Sequence, residues 1–222
     1  MIHHAGFVLG YAEPFEQAAW VAYRLTREEA QSDAFGRKGM KFVRDKDVPT
    51  GSATPADYKR SGYDRGHLAP AADMQWSAKA LRESFRMSNI SPQNPQFNRG
   101  LWARIEETVR DLAVAHESVD VVTGPVLHDG LPAIGGNSVA VPEYYYKVVL
   151  SDSDGNVHAM GFLTANAGSN LQPLRYVVTI DSVETLTGLD FYGALPDSIE
   201  DRAEAETDTI WWFGSLHSSL KR

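Results

Sequence analysis

The chain has 222 residues, of which 43% are hydrophobic, 23% charged and 10% aromatic, with 18 Gly and 11 Pro. That balance excludes a collagen-like, coiled-coil or wholly disordered chain, and the absence of Cys excludes disulfides, thiolate metal centres and a cysteine nucleophile. A formal charge of −8 argues against a broadly basic nucleic-acid coat protein.

In chain order, the opening apolar run 5–10 has no basic region before it and does not read as a signal peptide. No segment approaches the ~20 apolar residues of a membrane span. The β-branched and aromatic bias of Ala18–Leu25 predicts a strand, and Gly51–Lys59 a turn-rich loop. Ser77–Phe85 reads as a short helix capped by Ser77, and Arg86–Ile90 as a short strand. Leu101, Ile105, Val109 and Leu112 recur at spacings of four and three, which predicts an amphipathic helix from Arg99 to His116. Strands are expected at Val119–Thr123, Ser138–Val141, Tyr144–Leu150, Met160–Leu163 and Tyr176–Ile180, and a helix start at Asp181–Leu186. With no repeat and no linker rich in Gly, Pro or Ser, the expectation is one α+β domain over 1–222, built on a largely antiparallel sheet.

Charge is segregated along the chain. From Arg37 to Arg65 there are eight bases and four acids, net +4, while from Asp181 to Asp208 there are nine acids and only Arg202, net −8. A local anion site inside an acidic protein follows as an expectation.

Two segments carry chemistry. In Asp64-Arg65-Gly66-His67, His67 is a turn histidine, a metal ligand with Asp64, or a general base beside an anion-attracting Arg65. In Asn98-Arg99-Gly100-Leu101-Trp102, Asn98 is a helix N-cap or a hard oxygen ligand for Mg²⁺. Glu106 lies a little over two turns further on, either as a solvated helix acid paired with Arg104 or Arg110 or as part of the same site. Asp73, Glu83 and Glu107 are expected as surface or helix charges, with a brace for the loop after His67 as the other reading of Asp73. Trp76, Trp102, Trp211 and Trp212 are expected to pack rather than stack bases. Tyr144, Tyr145 and Tyr146 should alternate faces of a strand. His3 and His4 are expected to be disordered near the terminus, and His116, His128, His158 and His217 lack metal-site spacing.

Together these motifs resemble the DNA/RNA non-specific endonucleases of the ββα-metal (His-Me finger) superfamily. The likeness extends along the chain, through Gly10-Tyr11 with Trp20-Val21-Ala22-Tyr23, Val122-Thr123-Gly124-Pro125-Val126, Val141-Pro142 with Tyr146-Lys147-Val148, Gly161-Phe162-Leu163, and Asp181-Ser182-Val183-Glu184 with Thr187-Gly188-Leu189-Asp190-Phe191. The resemblance implies an embedded ββα-metal motif at about 60–116. It implies that His67 is the general base, Asn98 the direct metal ligand, Glu106 the acid holding a metal-bound water, and Asn89 an active-site Asn near the base. Arg65 stands in the motif, and Arg37 matches the upstream phosphate-binding Arg, with Arg44 as second choice.

The implied cofactor is Mg²⁺, with Mn²⁺ or another divalent cation as substitutes. The implied substrates are DNA and RNA, cut to 5′-phosphate and 3′-hydroxyl ends. A homodimer is also implied, although the residues mark no interface. Family members are often exported in bacteria, which sets the expectation of a secreted or periplasmic protein. The chemistry is coherent, since a neutral His takes a proton from water and a hard cation screens the phosphate. The competing readings are a catalytically silent polyanion binder on the same scaffold and a phosphodiesterase for small nucleotides.

Overall fold

The computed structural model describes residues 1–219, and the side chain of His217 lies outside the described set. Seven strands form an antiparallel sheet: β1 (Ile2–His3), β2 (Val8–Ala12), β3 (Gln17–Thr26), β6 (Ser118–Pro125), β9 (Tyr144–Ser151), β10 (His158–Ala165) and β11 (Val177–Val178), in that spatial order. Two small hairpins stand outside it, β4 (Asp64–His67) with β5 (Ile90–Gln93), and β7 (Ala133–Ile134) with β8 (Val139–Ala140). The helices are α1 (Arg27–Ala30), α2 (Ala78–Ser84), α3 (Ala103–Ala115), α4 (Ile180–Thr187), α5 (Asp197–Ala205) and α6 (Thr209–Ser219). This is the expected α+β architecture on an antiparallel sheet. No helix among the described residues is long and apolar enough to cross a membrane.

The sheet is covered on both faces, and strand alternation assigns each face its own core. Tyr145 and Val149 pack with Val21, Tyr23 and Val121 against Ile105, Val109 and Leu112 of α3. Tyr146, Val148 and Leu150 point the other way, against Ile180 and Val183 of α4 and Ala203 of α5. The tyrosine run thus alternates as expected, with Tyr145 and Tyr146 both buried.

Local signals account for most elements. Ser77 accepts a hydrogen bond from the Ala80 N–H and caps α2, while Thr26 and Glu29 form a reciprocal capping box on α1. Trp102 and Trp212 are buried, and Trp76 and Trp211 pack half-buried on the main core.

Four expectations need correction. Residues 87–89 form a 3-10 turn, and the strand begins only at Ile90. The helix expected from Arg99 opens instead as a wide π turn, Phe97–Trp102, before α3 begins. Asn98 therefore caps nothing. His3 and His4 are both ordered: His3 pairs with Val8 in β1, and the buried His4 side chain brings its Nε2 to 3.0 Å from the Asp45 carboxylate. Finally, Tyr176 belongs to a 3-10 turn and Ile180 opens α4, leaving β11 only two residues.

Candidate active site

The site is built by β4, β5 and α3, elements far apart in sequence. In the hairpin His67 pairs with Ile90 and Gly66 with Ser91. A side chain at 66 would collide with the buried Gln93 side chain, so a glycine lets the two strands close. The π turn then aims residues 97–102 toward the hairpin, with Phe97, Leu101 and Trp102 buried as its anchor. This β4–β5–α3 unit occupies the span in which the ββα motif was expected.

A cavity of about 380 Å³ opens where these elements meet, and His67, Asn98, Glu106, Arg37 and Arg65 all line it. Asn89 does not. It is fully buried, its Oδ1 accepts the Ala69 N–H, and its Nδ2 donates to the carbonyls of Ala69 and Ser84. Its own carbonyl accepts the Leu68 N–H. Asn89 therefore grips the backbone directly after His67. Arg44 is also away from the cavity, its guanidinium lying over Gly51.

His67 sits in an aromatic box, its ring 5.4 Å from Phe42 and 4.8 Å edge-on from Phe85. Its Nε2 is buried without a hydrogen-bond partner. Burial, with the Arg37 charge acting in the same direction, pushes its pKa down to about 3, so the ring is neutral at physiological pH. The Arg65 guanidinium lies 4.6 Å above the Phe42 ring. Among the described residues neither Arg37 nor Arg65 forms an ion pair.

Asp64 sets the orientation of Asn98. Asn98 Nδ2 donates to Asp64 Oδ2 at 2.9 Å, and Arg99 forks onto both Asp64 oxygens at 2.8 and 2.6 Å. A carboxylate held below the ordinary range, as Asp64 is, only accepts, so the amide nitrogen must face it. The Asn98 Oδ1 is left as the free donor atom. Both oxygens of Asp64 are thus engaged, which disfavours its reading as a metal ligand.

Glu106 makes no hydrogen bond among the described residues. Burial raises its pKa, against the lowering influence of Lys147. The expected pairing with Arg104 or Arg110 does not form, because Arg104 donates to the carbonyls of Ser169 and Leu171 and Arg110 to Asp73. Asp73 is no surface charge: it is 1% exposed and also accepts from the Tyr23 hydroxyl at 2.8 Å. Lys147 is likewise fully buried, its Nζ 5.1 Å above the Trp102 ring, and burial lowers its pKa against the pull of Glu106. Sequence reasoning missed Lys147. An isolated Lys in an apolar strand, alternating in phase with Tyr145 and Val149, is the signal that locates it.

The pattern defining the DNA/RNA non-specific endonuclease family matches residues 2–198. Human mitochondrial endonuclease G is 37% identical over 199 residues, covering 83% of this chain and 67% of that protein. Human mitochondrial nuclease EXOG is 35% identical over 223 residues, covering 93% of this chain and 60% of that one. The crystal structure of the EndoG/EndoGI complex superposes with a TM-score of 0.83 at 33% identity, covering 89% of this chain and 87% of the matched one. These relatives overturn the expectation of a secreted or periplasmic protein, since they point to a mitochondrial setting. The family is one of metal-dependent nucleases, which points to a divalent cation. On a match spanning nearly the whole chain, this protein belongs to the DNA/RNA non-specific endonuclease family and is a nuclease.

Proposed function

We propose that the chain is a single Mg²⁺-dependent endonuclease domain that hydrolyses DNA and RNA phosphodiesters, with His67 as general base and 5′-phosphate ends as products. The observation that carries this reading is the convergence of His67, Asn98, Glu106, Arg37 and Arg65 on one cavity.

The donor set suits a hard divalent cation. Among the described residues, Asn98 presents a free amide oxygen, held in place by Asp64, and Glu106 presents a carboxylate with no hydrogen bond. Asn98 would be the direct ligand and Glu106 would hold a metal-bound water; oxygen donors favour Mg²⁺, and Mn²⁺ shares the preference. When bound, the cation supplies charge stabilisation to a nonbridging phosphate oxygen and to the departing 3′ oxygen.

The remaining work falls to the chain's own residues. Neutral His67 accepts a proton from the water whose oxygen attacks phosphorus, as the bond to the 3′ oxygen breaks and that oxygen takes a proton from solvent water to become the 3′-hydroxyl. Phe42 and Phe85 hold its ring, and Asn89 fixes the backbone that follows it, as a positioning residue. Arg37 and Arg65 receive the phosphate. Burial is the larger influence that depresses the His67 pKa, and a bound phosphate near Arg37 offsets the second, the Arg37 charge. Backbone contacts of this kind carry no sequence information, which supports low sequence specificity.

A plasmid-nicking assay tests the proposal. The intact chain should cut with Mg²⁺ and stop with EDTA, and His67→Ala should lower the rate by ~10²–10⁴-fold. Undiminished cutting by His67→Ala would overturn the general-base assignment. Binding of plasmid without cutting, in Mg²⁺ and in Mn²⁺, would favour the silent polyanion binder. Faster turnover of a dinucleotide analogue than of plasmid would favour the small-nucleotide phosphodiesterase. Light scattering in solution tests the homodimer that the resemblance implies.

A further inference from the structure

The sheet face opposite α3 carries a second cluster of potential ligands. Glu204, on α5, contributes to two triads of carboxylates, one with Asp190 and Glu200 and one with Asp181 and Glu184. Within each triad, one oxygen per residue lies within 4.8 Å of the others. That is the widest separation two oxygens can have while both sit ~2.4 Å from one cation.

Glu204 is only 8% exposed, and its Oε1 is buried without a hydrogen-bond partner. Glu200, one helical turn earlier on the same face of α5, also has a buried and unpartnered Oε1. Asp190 approaches from the loop after α4. No Lys or Arg pairs with any of these acids among the described residues, and the only base between Asp181 and Asp208, Arg202, is exposed. Like charges at i and i+4 destabilise a helix, and a buried carboxylate without a partner is costly. Packing nonetheless holds the group together, with Ala203 beside Glu204 seated on Val183 and Phe191 in one core.

We propose that Asp190, Glu200 and Glu204 form a binding site for a hard divalent cation of the Ca²⁺ class, separate from the His67 cavity. The donors are all carboxylate oxygens, with no His or Cys, which favours Ca²⁺ over Zn²⁺ or Cu²⁺. This triad is preferred over Asp181–Glu184–Glu204 because Glu184 already accepts the Phe191 N–H at 2.7 Å. Asp181 and Glu184 then add negative charge around the ion. The ligands lie near the surface, so affinity should fall in the ~10⁻⁴–10⁻³ M range of extracellular-type Ca²⁺ modules. By bridging the α4–α5 loop and α5, the ion fastens α5 to the loop that precedes it.

The test uses the whole chain in saturating Mg²⁺, with Ca²⁺ as the added probe. Calorimetry reads affinity, and thermal unfolding reads the shift in Tm. The expected result is Ca²⁺ binding that raises Tm, persists in Asn98→Ala, and weakens about tenfold or more in Glu204→Gln and in Glu200→Gln. Glu204→Gln should also unfold at a higher temperature than the intact chain in chelator, because a repulsive charge is gone; this confirms that the variant folds. No Ca²⁺ effect on the intact chain, equal binding by Glu204→Gln, or loss of binding in Asn98→Ala alone would each overturn the proposal.

Discussion

The two faces of the sheet treat charge in opposite ways. On the α3 face two acids are matched: Asp64 holds Arg99 and the Asn98 amide, and Asp73 holds Arg110 and Tyr23. On the α4–α5 face, Asp190, Glu200 and Glu204 converge with no ion-paired base among the described residues. The matched pairs are organised before any substrate arrives, since Asp64 and Asp73 each fix the direction of another group, while Glu106 is left open toward the cavity. The unmatched face is complete only when something positive joins it. The net charge of −8 is therefore concentrated away from the His67 cavity, where Arg37 and Arg65 form no ion pair among the described residues. Local attraction for a polyanion survives inside an acidic protein, and cleavage should fall as salt screens it.

The largest effect, beyond loss of His67 itself, is expected at the acid that orients Asn98. Asp64→Ala removes three hydrogen bonds and lets the amide rotate. Partners of this kind are worth about 10–100-fold in metal affinity or activity. Cleavage should fall by that factor, and the Mg²⁺ concentration needed for half-maximal rate should rise. Circular dichroism should stay unchanged, because Arg99 is exposed. A lower rate with an unaltered Mg²⁺ requirement would assign Asp64 to substrate contact and break the account of a preset amide.

Neighbouring tyrosines on β9 sharpen the comparison across the sheet. The Tyr145 hydroxyl donates to the Pro92 carbonyl at 2.9 Å and meets Ser91 Oγ at 2.6 Å, so it anchors β5, the inner strand of the site hairpin. Among the described residues the Tyr146 hydroxyl, on the other face, donates only to the Ala19 carbonyl at 3.0 Å. Tyr145→Phe should cost about 1–3 kcal/mol, because buried polar groups lose a partner, and should reduce cleavage. Tyr146→Phe should cost about 1 kcal/mol and leave cleavage unchanged. Urea unfolding and plasmid nicking on the same two variants check both halves, and equal losses of activity would deny the two faces their separate roles.

Periodicity explains which of these features are legible in the sequence. β3, β6, β9, α2, α3 and α4 follow from alternation, heptad-like spacing and the Ser77 cap. The β4–β5 hairpin is not legible, because Gly66 and Pro92 depress strand propensity and its partners are paired by tertiary contact. The π turn at 97–102 is invisible for a similar reason: its residues carry a helical pattern, and the extra width comes from packing Phe97 and Trp102. His67, Asn98 and Glu106 stand out by motif, and the structure brings them to one cavity. Asp64 stands in the motif and Asp73 is weighed as a brace for the loop after His67, but their actual partners, like the burial of Lys147, are not legible, since an acid's partner or a lysine's burial is a property of the fold. Asn89 is visible as a motif residue, but its direction, into the backbone after His67, is not.

The smallest expected effect is confined to acid and again separates matched from unmatched carboxyls. Asp45 is buried on the site side. Burial raises its pKa, yet hydrogen bonds from His4, Ser88 and the Asp47 N–H outweigh that and hold the carboxyl below its ordinary range. A group with a folded pKa below its unfolded value of ~3.9 contributes stability that is present above that pH and is lost as pH falls through the folded value. Stability should therefore drop below about pH 4 in the intact chain. Asp45→Asn should be less stable at neutral pH and show a shallower acid loss, as read by urea midpoints at stepped pH. A variant whose acid profile parallels the intact chain would mean that His4 and Ser88 find other partners, and that the N-terminal strand does not depend on a matched charge.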